Sequence, residues 1–442
     1  MILMKRNILL IVLDAARYDI FTEEISPYIW GLAEEGVRFT NYYSTASWSL
    51  PAHASMFTGL HVREHGVEYQ NMMLHPQVPT LAEELKREGY QTVGFCNNPW
   101  VSPATGLDRG FDQFYGIWHK AFLGKMASQR FSQKTKSRVK AVMEFARYRD
   151  YVDSGASRTL KKIKGWMKKE YHEDNPYFMF INFMETHGKL KPPEPYRSRF
   201  YRGLMPWDKL EQDFRKTISG EIELCSDEWK WIRQLQMGEM AYIDSQMKEL
   251  IEGILYDTDP MIFIVSDHGD LFGEEDCFLG TWAGHKYSLH PTLLHVPFMI
   301  AGSSHANNPI FEGLVQHNDL FSMILDVGVM GWVRYPSRKA FGFAEHTNPK
   351  LFIEQFQESV KPLSDSTYID KLLQNLIAIF DTEGNQLTMS DKYGKHSNMP
   401  SIASWESMIE PWKSKRKAPP PPTGIELEFD EAEKLMLNLG LF

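Results

Sequence analysis

The 442-residue chain is poor in cysteine, with only Cys96, Cys225 and Cys277. An odd, sparse set excludes a disulfide framework and fits a reducing compartment, so a cytoplasmic location is expected. The chain also lacks any run approaching the roughly 18 apolar residues of a membrane span. Its opening, MILMKRNILLIVLDAARYD, sets basic residues before an apolar run as a secretion signal does. The run Ile8 to Leu13 is too short for that role, and no small-residue cleavage site follows it. A basic excess is missing too. The net charge of −9 does not favour nucleic acid as a whole-surface partner. No internal repeat is visible. With 12 Trp, 19 Tyr and 27 Phe, long disordered stretches are disfavoured. The length allows a large core and two or three domains.

Apolar, β-rich runs bounded by turns lie at Asn7–Leu13, Thr92–Cys96, Tyr177–Phe183, Met261–Val265 and Val296–Ile300. Continuous runs of this kind suit strands covered on both faces. Helical patterns at Thr80–Glu88 and Met240–Ile254 lie between them, the latter with Ile243, Met247, Leu250, Ile251 and Ile254 on one stripe. The alternation predicts an α/β fold with a mostly parallel central sheet sandwiched by helices. Residues 1–344 are expected to form the main α/β domain, with a basic helical insert at about 117–172. Residues 345–442 are expected to form a small C-terminal α+β subdomain. From Lys120 to Lys169 there are fifteen Lys/Arg and three acids. Pro419–Pro422 reads as a stiff connector before a short helix at Asp430–Leu439.

Ligands of open α/β sheets collect beyond the carboxyl ends of strands. Asp14 follows one apolar run, and S-D-H-G-D, Ser266 to Asp270, follows another. A carboxylate and an imidazole on adjacent residues, Asp267 and His268, are plausible ligands for one divalent ion. The plainer alternative is a solvated loop with a helix cap at Asp270. A further segment, S-L-P-A-H-A-S-M-F-T-G from Ser49 to Gly59, could open a helix at A-S-M-F-T-G and offer free N–H groups to an anion. By itself, a Ser before a Pro is more often a turn.

Several motifs in order resemble the sulfatase family of the alkaline phosphatase superfamily. They are N-I-L-L-I-V-L-D-A-A-R-Y-D, then S-P-Y-I-W-G-L-A-E-E-G-V-R-F-T-N-Y-Y-S-T-A-S, G-Y-Q-T-V-G-F, G-L-D-R-G-F-D-Q-F-Y, V-S-D-H-G-D-L-F-G-E-E-D, G-H-K-Y-S-L-H-P-T-L-L-H-V-P-F-M-I-A-G and E-A-E-K-L-M-L-N-L-G-L-F. The resemblance implies a hydrolase of sulfate or phosphate esters that uses one divalent metal ion (Ca, Mg, Mn or Zn). It gives Asp14, Asp267 and His268 as metal ligands, with Ser49 both ligand and nucleophile. In many members that residue is converted to formylglycine. His187 matches a contact to the bound anion, and His285 stands where the family usually has Lys, with Lys286 beside it.

The chain departs from the pattern at Ala15, in place of a second Asp; at His53, where the modification signal has Arg; and at Asn97, where an arylsulfatase has Lys. His53 makes conversion of Ser49 doubtful. A sulfate on a plain serine has no elimination exit, whereas a phosphoserine can be attacked by water. Phosphodiesterase or phospho-headgroup transferase chemistry with unmodified Ser49 therefore stays open. A non-catalytic binding protein on the same scaffold stays open as well. His187, His53 and the helix N-terminus are expected to meet developing negative charge, and His285 with Lys286 to protonate the leaving oxygen. Asp244 is followed by Lys248 rather than His at the spacing two-zinc relatives use, so one metal is expected. In the stretch 157–169, Leu160, Ile163 and Met167 share a face amid lysines. This reads either as a core-packing helix or as contact with an anionic surface or polymer.

Overall fold

The computed structural model describes residues 5–117, 153–302, 310–336, 339–349, 369–398 and 403–414. Much of the basic insert, the Pro419–Pro422 connector and the Asp430–Leu439 helix lie outside the described residues.

The centre is an eight-stranded sheet. Its strands are β1 (Ile8–Leu13), β2 (Val37–Phe39), β3 (Gln91–Cys96), β4 (Gln113–Gly116), β5 (Tyr177–Phe183), β6 (Met261–Val265), β7 (Phe298–Ala301) and β8 (Ile310–Phe311). In space they run β8-β2-β7-β6-β1-β5-β3-β4. β6, β1, β5 and β3 are mutually parallel neighbours, while β7 pairs antiparallel with β6 and β2. Alternate side chains of β1 enter two separate cores. Ile8, Leu10 and Val12 pack with the helix Ser49–Thr58 and with Leu81, Leu85, Leu320 and Ile324. Leu9, Ile11 and Leu13 pack on the other face with Ile29, Ile163 and Ile243. That two-sided burial is why the strand carries no polar residue until Asp14.

The expected strands recur within two residues at every end. The helix Leu81–Arg87 carries a Thr80 cap, with Thr80 Oγ1 accepting from Glu83 N. The long helix Ser226–Lys248 starts well before Met240, because its first turns are polar and hide the stripe; it continues as a π-helical turn at Glu249–Ile254. The helix Ala156–Lys169 buries Leu160, Ile163 and Trp166 in the second core and leaves Met167 half-buried, while Lys161, Lys162, Lys164, Lys168 and Lys169 face outward. Lys162 lies over the Tyr115 ring at 4.2 Å. This is packing of an amphipathic helix against its own sheet.

A second, four-stranded antiparallel sheet runs Gly342–His346, Leu376–Phe380, Gln386–Ser390 and Gly394–Ser397. It starts at Gly342, so the position expected for a domain boundary falls inside its first strand. The half-polar G-F-A-E-H is too short to read as a strand from its pattern. Arg63, on the helix Val62–His65, binds Glu345, and Tyr43, in a short strand outside the main sheet, packs on Phe380 at 4.4 Å, joining this sheet to the elements around the main one. Among the described residues, no helix is long and apolar enough to cross a membrane.

Candidate active site

Because β6, β1, β5 and β3 lie side by side and parallel, the residues at and just past their carboxyl ends gather in one place. β6 delivers Asp267 and His268, β1 delivers Asp14, β5 brings Asn182 and His187, and β3 brings Asn98. One atom each from Asp14, Asp267 and His268 lies within 4.8 Å of the others, and all three residues are fully buried.

Ser49 arrives from the first core. It begins the helix Ser49–Thr58, earlier than the A-S-M-F-T-G start expected. Pro51 does not prevent this, since the first turn needs no intrahelical N–H donor. Gly59 ends the helix at φ 72, with the Phe321 ring 3.1 Å from where a Cβ would sit. The Ser49 hydroxyl donates to Asp14 Oδ1 at 3.5 Å, and its oxygen is 3.2 Å from His268 Nε2. His268 Nδ1 is 2.8 Å from the Gly269 carbonyl, so Nδ1 carries the proton and the Nε2 lone pair points at Ser49 and the two carboxylates.

The two aspartates are held differently. Asp14 Oδ2 accepts from Asn98 Nδ2 at 2.7 Å and from Asn182 Nδ2 at 3.1 Å. Asp267 Oδ1 accepts the N–H groups of Ala15 at 3.0 Å and His268 at 2.9 Å, while Oδ2 has no hydrogen-bond partner. Burial pushes the Asp14 carboxyl upward, but the imidazoles of His187, His268 and His53 and the Asn98 amide outweigh it, and the net shift is downward. At Asp267, burial and the charge of Asp14 both act upward. Burial takes His268 down to about 4, against the pull of Asp14. A neutral imidazole, two crowded carboxyls and an orphaned buried oxygen suit a divalent cation, which would satisfy all of them together.

Ala15 occupies the left-handed region at φ 58, and it is the backbone there that serves the site. Its N–H binds Asp267, and its carbonyl accepts from Gln236 Nε2 at 3.0 Å. His53 lies one turn into the helix, fully buried, with Nδ1 2.8 Å from the Ser49 carbonyl and 3.6 Å from Asp267 Oδ2. Burial lowers its pKa, so the neutral ring supports Ser49 and Asp267 from behind and does not line the cleft. Asn97 also faces away from the ester position, binding the Asn182 carbonyl at 2.8 Å and Thr159 Oγ1 at 2.9 Å. Gly155 must stay a glycine for this: its φ is +138, and a Cβ would fall 2.1 Å from Asn97 Oδ1. Asp244 is remote, accepting the N–H groups of Tyr28 and Ile29 at the start of the helix Pro27–Glu35.

A cleft opens beside this floor, lined at its inner end by His187, Asp270, His285 and Lys286. Ser49 lies one side chain below, reached through His268, whose ring centroid is 4.3 Å from that of His285. His187 Nδ1 is 3.0 Å from the Gly188 carbonyl, and its ring is 5.0 Å from that of His285. Burial and the neighbouring His268, His187 and Lys286 press His285 well below its ordinary pKa. Lys286 lies 5.9 and 6.0 Å from the Trp48 and Trp100 rings, and burial draws it down to about 7.

Sequence reasoning missed three residues here. Asn98 was overshadowed by Asn97, the position at which the sequence departs from the family it resembles. Asn182 was legible as the one amide in an otherwise apolar strand, since a buried polar residue is the informative exception. Asp270 precedes the strand Leu271–Asp276, not a helix, and its Oδ1 is 3.5 Å from His285 Nδ1; neither atom has a hydrogen-bond partner.

The family model of the sulfatases matches residues 6–329. The chain belongs to the sulfatase family. Its members are metal-dependent hydrolases of sulfuric and phosphoric esters. A choline-sulfatase of Rhizobium meliloti is 23% identical over 346 residues, which are 67% of this chain and 63% of the relative, so this chain spans under two thirds of that protein. The phosphonate monoester hydrolase of Agrobacterium radiobacter superposes with a TM-score of 0.63 at 18% identity, covering 93% of this chain and 94% of that chain. A structure solved with its substrate D-glucosamine-2-N,6-O-disulfate gives 0.60 at 14% identity, covering 99% and 97%. At such identities the two structures establish a shared α/β sandwich fold.

Proposed function

We propose that this sulfatase hydrolyses anionic sulfate or phosphate esters with Ser49 as nucleophile. The observation behind the reading is the Ser49 hydroxyl set between Asp14 and His268, beside an unpartnered Asp267 oxygen. Asp14, Asp267, His268 and Ser49 Oγ are the residues that would hold a divalent ion. Once bound, such an ion supplies positive charge that favours the Ser49 alkoxide and neutralises the ester.

The remaining steps fall to side chains. Ser49 gives up its proton to solvent, and Oγ bonds to phosphorus or sulfur as the bond to the leaving oxygen breaks. His187 and the first N–H groups of the helix Ser49–Thr58 meet the charge on the transferred group. His285 is neutral and a poor acid, so the leaving oxygen takes its proton from Lys286, whose pKa of about 7 suits that task. Water then attacks the phosphorus or sulfur and the bond to Ser49 Oγ breaks, releasing the free acid; one proton from that water and one from solvent restore Ser49 and Lys286. On a plain serine this exit exists for phosphate, and unmodified Ser49 makes phosphorus the preferred centre. Conversion of Ser49 to formylglycine would move the preference to sulfate, as membership of the family suggests.

Release of nitrophenol from the 4-nitrophenyl sulfate, phosphate monoester and phosphodiester, with and without added divalent metal, tests the reading. Metal-dependent turnover of at least one ester, lost in Ser49→Ala, is expected. Undiminished turnover by Ser49→Ala would refute the nucleophilic role.

A further inference from the structure

Outward from His187 and His285, the cleft changes character. Its lining includes Phe214, Arg215 and Ile218 of the helix Phe214–Ile218, and Lys189 from the loop after His187. The cavity itself measures about 90 Å³ and opens outward to solvent. Phe214 is set by Trp229 and Phe272, at 5.9 and 6.0 Å, so its ring is a fixed apolar surface. Arg215 is held in place by Asp213 through Nε and Nη2, each at 2.8 Å. Lys189 is exposed at the mouth. The outer wall therefore offers an apolar ring next to two cations, with Asp213 already engaged by Arg215.

None of these groups serves bond breaking in the mechanism above, yet Arg215 and Lys189 line the same cleft as His187, His285 and Lys286. Resting on the hydrolase reading, we propose that the outer cleft recognises a leaving group bearing a second anionic substituent on a ring, and that Arg215 and Lys189 are its specificity determinants. The ring packs on Phe214, and the second anion lies between the guanidinium and the ammonium. The substrates are thus esters charged at two places, the reacting sulfate or phosphate and another anionic group on the alcohol. Partly exposed charge pairs of this kind are short-range and weaken with salt.

The test compares two 4-nitrophenyl esters of whichever acid the enzyme cleaves. One carries a ring carboxylate and the other the near-isosteric carboxamide. The wild-type enzyme should favour the carboxylate in kcat/KM by roughly tenfold, the scale of a hydrogen bond to a charged group. In Arg215→Gln/Lys189→Gln the ratio should fall to near one, and in the wild type it should shrink as salt is raised. Equal kcat/KM for the two esters in the wild type, or a ratio preserved in the double variant, would overturn the proposal while leaving the hydrolase reading intact. Calorimetry with the two product phenols provides a second readout that needs no turnover. Tighter binding of the carboxylate phenol to wild type than to the double variant supports the subsite even if no ester is cleaved, and equal binding contradicts it.

Discussion

The floor of the site and its outer wall are built on different principles. The floor is made of strand ends. Asp14, Asp267 and His268 are fully buried, fixed by backbone N–H groups and by Asn98 and Asn182, and stand on strands whose side chains fill two cores. The wall is a short helix and a loop, partly exposed, carrying ion pairs of its own between Arg215 and Asp213 and between Lys216 and Glu211. The contrast teaches where chemistry and selectivity can vary independently. A change on the floor alters the donor geometry and the packing beneath it together, whereas a change on the wall alters only what the wall touches.

The comparison can be broken most severely at Ser49. Ser49→Ala should reduce turnover by about 10⁴-fold or more while divalent metal still binds, read as residual kcat against metal content by elemental analysis. Next comes Asp267→Asn, which removes one charge from the donor set; metal affinity and activity should fall together, by roughly 10³-fold in activity. Asn98→Ala keeps every proposed ligand but frees Asp14 Oδ2, and metal affinity in a chelator competition should drop about 10- to 100-fold. A pH series gives the smallest effect. Lys286 is charged below about 7 and neutral above it, so kcat/KM for anionic esters should fall as pH rises through that value. In Lys286→Met that limb of the profile should be absent from whatever activity remains.

The floor was the legible half in the sequence. Unbroken apolar strands ending in Asp14 and in Asp267-His268 point to buried parallel strands with ligands at their tips, because ligands of open sheets collect beyond the carboxyl ends of such strands. What did not show was the support. Ala15 serves through its backbone N–H, which no side-chain pattern reveals, and Asn97 could be told from Asn98 only once the direction of each amide was known. The wall was illegible for a related reason. Phe214, Arg215 and Lys189 are far apart in sequence from His285, and their meeting depends on how the helix Phe214–Ile218 seats on the strand Gly280–Gly284. The small C-terminal α+β subdomain was expected and its antiparallel sheet is present, but its individual strands could not be placed beforehand, because they are short and half-polar and alternation and turn signals blur.

Mass spectrometry of the Ser49 peptide, from enzyme acid-quenched during turnover of the nitrophenyl ester it cleaves, tests the central claim most directly. A phosphate or sulfate group on Ser49 that appears with substrate and is absent from His268→Ala is the predicted result. Substrate consumption with Ser49 carrying no transferred group at any quench time, together with full activity of Ser49→Ala, would contradict it.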